Sequence, residues 1–131
     1  MFVDASALVA MIAGEAEAAE LAARAEKHPK RITSPLSVWE AGRALSRVLN
    51  TDALTAAGAV QEYLDLAGIQ IMSVPPSLGA KALEVHARYG KGCHEADLNF
   101  GDCFAYAMAR YYRYPMLYKG DDFARTDMEA A

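Results

Sequence analysis

The chain is poor in the residues that carry several common kinds of function. Only two cysteines, Cys93 and Cys103, and three scattered histidines, His28, His86 and His94, occur among its 131 residues. That excludes a disulfide scaffold and a Cys/His zinc site, and leaves free thiols and histidines in surface or packing roles. No apolar run can cross a bilayer, the longest being "ASALVAMIA" at 5–13. The opening "MFVDASALVA" has no basic leader and carries Asp4, which argues against a signal peptide and for a cytoplasmic protein without membrane contact. There is no Walker-type phosphate loop, no Ser/His/Asp arrangement, no internal repeat and no low-complexity stretch. Nor is positive charge in excess. The formal net charge of −4 argues against a surface that attracts nucleic acid everywhere, and leaves room for a local basic rim.

What is present suits one compact domain over 1–131, with 53% hydrophobic and 23% charged residues. "MFV" reads as a short strand ending at Asp4, and "ASALVAMIAG" as a helix closed by Gly14. A second helix over "EAEAAELAARAEK" leads to a strand at "RITS". Helices follow over "SPLSVWEAGRALSRVLN" and "TDALTAAGAVQEYLDLAG", the latter with Leu54, Ala57, Gln61 and Leu64 on one face. "IQIMSV" alternates as a strand, "PPSLGAKALEVHARYG" is helical, and "LNFGDCFAYAMA" opens a helix running to about Tyr112. "YPMLYKG" gives the last clear strand, before a tail that is mostly loop with a weak edge strand near Thr126. The order β-αα-β-αα-β-αα-β predicts an α/β fold, a parallel sheet of four to five strands with helices on both faces. Ligands of such sheets bind beyond the carboxyl ends of the strands, at a topological switch point.

The acids gather at that edge. Asp4 ends the first strand, Glu40 lies on the helix leaving the second, Asp102 opens an almost wholly apolar helix, and Asp121 and Asp122 follow the last strand. Each has a local role available. Asp4 can begin a helix, Glu40 can complete a capping box with Ser37, Asp102 can cap or sit at N3 behind Asn99, and Asp121 and Asp122 can be turn residues. Local roles, however, would not require all of them at one sheet edge. Clustered carboxylates raise one another's pKa values unless a cation neutralises them. All-oxygen ligands favour Mg²⁺ or Mn²⁺, which would suit a metal-dependent phosphodiesterase. Arg43, Arg47, Arg88, Lys91 and Lys119 are candidates for a basic rim, and Trp39 for the core or a groove lining.

Taken together, "FVDASALVA", "SPLSVWE", "LNFGDCFAYAMA" and "PMLYKGDDFARTD" resemble the motifs of PIN-domain ribonucleases, specifically VapC-type toxins of type II toxin–antitoxin systems. The resemblance covers essentially the whole chain. It implies a PIN-like fold and Asp4 and Asp102 as direct metal ligands, with Glu40 as a ligand through water or an orienter of the attacking water. "GDDF" offers Asp121 and Asp122 as the fourth acid, and family members often carry Asn at the first of these, which favours Asp122. Ser6 and Asn99 become supporting groups behind the ligands. Hydrolysis of RNA, tRNA or rRNA, by a metal-activated water would leave a 5′-phosphate and a 3′-hydroxyl. The resemblance also implies a homodimer and a VapB-type antitoxin that covers the site. Two rivals differ from it: a catalytically silent PIN-like interaction module, and another metal-dependent α/β phosphohydrolase. The latter group leans on a pair of acids after the first strand, where Asp4 stands alone.

Overall fold

A computed structural model describes all 131 residues. Four short strands, β1 (Phe2–Val3), β2 (Arg31–Thr33), β3 (Ile69–Ile71) and β4 (Met116–Leu117), form one parallel sheet in the order β3-β2-β1-β4. Helix pairs connect them: α1 (Ala5–Ala13) and α2 (Ala18–Glu26), α3 (Pro35–Val48) and α4 (Ala53–Ala67), then α5 (Leu78–Tyr89) and α6 (Phe100–Tyr112). The chain winds from β1 outward to β3 and then returns to the other side of β1 for β4. β1 is therefore the point where the winding direction reverses.

Alternation along the strands supplies a core on each face of the sheet. Phe2, Ile32 and Met116 point into one, with α5 and α6; Val3, Ile69 and Leu117 point into the other, with α1 to α4. Polar caps fix the helix starts: Asp4 for α1, Ser34 followed by Pro35 for α3, Asp52 for α4 and Asn99 for α6. Gly14 and Gly68 end α1 and α4 in the left-handed conformation, at φ 67° and 62°.

Three sequence expectations fail here, and one open alternative is decided. Ser37 and Glu40 form no capping box, because α3 starts a turn earlier and Ser34 accepts the Ser37 N–H. The buried face of α4 is Ala56, Val60 and Leu64, whereas Leu54 is 84% exposed. Of the two places open to Trp39, its 67% exposure decides against the core and for the groove lining. The tail has no strand near Thr126; Phe123–Arg125 is a 3₁₀ turn, and only Ala130 bridges to Met116.

Candidate active site

The carboxyl ends of β1 and β4 meet at the reversal point, and Asp4 stands there as the residue after β1. Its carboxylate is buried, and its Oδ2 caps α1 by accepting the Ser6 N–H at 2.9 Å. The same oxygen accepts the Ser6 hydroxyl at 2.6 Å, and that hydroxyl in turn accepts the Lys119 N–H at 3.0 Å, just beyond β4. Ser6 thus ties the first acid to the neighbouring strand end. Burial pushes the Asp4 pKa upward, against the pull of these hydrogen bonds, and the charge of Asp122 adds to the rise.

Asp102 has the local role that its position suggested. It sits at N3 of α6, where the Asn99 side chain accepts its N–H at 2.9 Å and its own Oδ2 accepts the Asn99 N–H at 3.0 Å. Capping is not its whole situation. Burial lifts its pKa to about 6, with Asp4 and Asp122 contributing. Glu40 reaches across from α3 to the first turn of α6 and lies against Gly101. A Cβ at Gly101 would stand 2.0 Å from Glu40 Oε1, so only glycine lets this carboxylate approach. Burial first, then the charges of Asp4 and Asp102, raise the Glu40 pKa to about 7.

Acids from four different segments are thus linked: Glu40 feels the charges of Asp4 and Asp102, and these two feel that of Asp122. Asp122, rather than Asp121, is the neighbour whose charge reaches Asp4 and Asp102. None of the four is in an ion pair with a lysine or arginine. Such a set lacks a positive charge, and its donors are all oxygen. No three of them converge closely enough to enclose an ion by themselves. That arrangement fits a small hard cation that keeps part of its water shell and takes one or two carboxylates directly.

The expected basic rim divides. Arg43 and Arg47 line a groove of about 500 Å³ with Ser6, Trp39 and Glu40. Lys119 lines it too, but its ammonium is held by Glu15 and, at 3.3 Å, by Glu17. Lys91 borders a neighbouring hollow with Asn99 and Phe100. Arg88 is a correction. It lies between α5 and α6, 3.5 Å from Asp127 and over the ring of Tyr89, because an acid and an aromatic face hold it there. The sequence reading missed Gly101, although a small residue directly before the acid in "NFGDC" was a signal, and it missed Phe100.

Comparisons with known proteins identify the family and the fold. The family model described as PIN domain matches residues 1–129. Ribonuclease VapC30 of Mycobacterium tuberculosis (strain H37Rv) is 33% identical over 128 residues, covering 98% of this chain and 95% of its own. A VapC ribonuclease of Rhizobium meliloti (strain 1021) is 38% identical over 140 residues, covering 97% and 98%. Among solved structures, M. tuberculosis VapC20, titled a sarcin–ricin loop cleaving toxin, superposes with a TM-score of 0.77. It covers 99% of this chain and 97% of its own at 23% identity, which bears on the fold alone. With a family model spanning nearly its whole length and relatives matched end to end, the chain belongs to the PIN-domain family and, within it, to the VapC ribonucleases of toxin–antitoxin systems.

Proposed function

We propose that the chain is a Mg²⁺-dependent endoribonuclease, with Mn²⁺ as a substitute, working through Asp4, Glu40, Asp102 and Asp122. One observation carries the reading: Asp4, Glu40, Asp102 and Asp122 neighbour one another in series around the reversal point of a parallel sheet, none with a cationic partner. Asp4 and Asp102 would hold the cation, each with one oxygen engaged by Ser6 or Asn99 and the other free. When bound, the cation supplies water activation and stabilises charge developing at phosphorus. Glu40, which reaches the first turn of α6 beside Asp102, would take a proton from the attacking water. Asp122 adds charge that strengthens cation binding. Arg43 and Arg47 meet RNA phosphates along the groove.

The partners follow the same reading: a VapB-type antitoxin that covers the acids, a homodimeric toxin, and tRNA or rRNA as substrate in the cytoplasm. The test is cleavage of tRNA and rRNA by purified, antitoxin-free protein with Mg²⁺, with Mn²⁺, with EDTA, and by Asp102→Asn, which keeps the cap. Cleavage at a few sites that requires both the metal and Asp102 supports the reading. Cleavage that survives EDTA or Asp102→Asn overturns it.

A further inference from the structure

Two large aromatic side chains stand in water beside the acids. Trp39 is 67% exposed and Phe100 is 72% exposed, and neither belongs to a core. Both line one hollow of about 460 Å³, with Glu40 and Gly101 between them. This hollow shares Trp39 and Glu40 with the groove of Arg43 and Arg47. On its other side it shares Asn99 and Phe100 with a hollow of about 560 Å³ that Lys91 borders. Arg43, Arg47 and Lys91 are all exposed and in no ion pair. The Arg43 guanidinium lies 6.0 Å from the Trp39 ring centroid, and Phe100 leans on Phe104 at 4.9 Å.

A continuous path thus runs cation, aromatic ring, acid cluster, aromatic ring, cation. An extended RNA strand presents the matching sequence of groups, with phosphates that seek the cations and flat bases that stack on rings. Bases inside a duplex are already stacked and paired, and cannot use such rings. We propose that Trp39 and Phe100 form a two-sided stacking clamp for the unpaired bases flanking the scissile phosphate. The clamp rests on the ribonuclease reading above. Both residues are positioning residues: they set which phosphate lies over the acids, and they take no part in the chemistry.

Trp39 is the sole tryptophan, so its fluorescence reports stacking directly. The full chain, in EDTA to prevent cleavage, is titrated with three labelled probes of about twelve nucleotides: a single-stranded oligoribonucleotide, an abasic strand with the same phosphates, and a duplex of the same sequence. The expected result is saturable quenching by the first alone, with anisotropy showing roughly tenfold weaker binding of the abasic strand. Trp39→Leu and Phe100→Leu should each weaken single-strand binding about tenfold, and Trp39→Phe should recover most of it. Equal affinity for the abasic strand, or leucine variants that bind like the wild type, would overturn the clamp. Leucine variants that alter only the sedimentation behaviour would assign the rings to a protein interface instead. Wild-type cleavage with Mg²⁺ is measured alongside. Cleavage without base-dependent binding defeats the clamp alone, whereas absence of both cleavage and binding defeats the ribonuclease reading with it.

Discussion

Gly101→Ala should separate folding from catalysis. The added methyl would meet Glu40 Oε1 at 2.0 Å and the rest of that carboxylate at 2.3 Å. Non-bonded heavy atoms settle at about 3.5 Å, so the carboxylate must retreat by roughly 1–1.5 Å. The obstructing atoms are the far end of a flexible, half-buried side chain, and the backbone can stay where it is. Alanine also gains up to about 1 kcal/mol of helix propensity over glycine. Stability should therefore hold or rise slightly. A misplacement of about 1 Å in a positioned catalytic group costs on the order of 10²-fold in rate, about 2.7 kcal/mol of barrier. The expected outcome is a wild-type melting temperature with cleavage reduced roughly 10- to 100-fold in a Mg²⁺-supported assay on a defined RNA. In a Glu40→Ala background the same substitution should cost nothing more, because the methyl then meets no carboxylate. Full activity of Gly101→Ala, or a loss that adds to that of Glu40→Ala, would refute the reasoning.

Other perturbations have equally definite outcomes. Ser6→Ala removes the hydroxyl between Asp4 and the Lys119 N–H, and should raise the Mg²⁺ concentration for half-maximal cleavage about tenfold while sparing the rate at saturating metal. Asp122→Asn should lower cleavage at least roughly tenfold, and Asp121→Asn should stay within about threefold of wild type. Metal-free protein should lose stability as pH rises. The folded pKa values of Glu40 and Asp102, about 7 and about 6, lie above their unfolded values, so the native state binds more protons across this window and favours the acidic side. Thermal melts in EDTA at about pH 5 and pH 8 should show the lower midpoint at the higher pH, a gap that Glu40→Gln narrows and Mg²⁺ closes. Arg88→Ala breaks a mostly exposed pair with Asp127 beside a hollow that none of the four acids lines, and should cost at most about 1 kcal/mol of stability with unchanged cleavage.

Much of this was legible in the residue order, and the exceptions have physical causes. Strand–helix–helix punctuation is local, written in Gly14, Pro35, Gly68 and the short apolar strands, so element order and the edge that carries the acids could be read directly. The face of α4 could not, because small residues such as Ala56 pack closely there while Leu54 lies at the helix start, outside the packed surface. Ser37 and Glu40 satisfied a capping pattern one turn too late, since Ser34 with Pro35 already supplied a complete start. Arg88 looked like any rim cation until the tail brought Asp127 against it, beside the ring of its chain neighbour Tyr89. Gly101 answers to a side chain about sixty residues upstream, a demand that no local pattern expresses.

The hydroxyl that joins Asp4 to the far side of β4 has a temporal consequence. Ser6 and Lys119 are 113 residues apart, so the segment of Asp4 is made well before that of Lys119 and Asp122. At ordinary synthesis rates the interval between them is on the order of 10 s. Until that second segment arrives, β1 has no β4 beside it, Ser6 has no amide to hold it, and the acid cluster lacks a member. The acid cluster is therefore completed only as the sheet receives β4 and the segment that follows it.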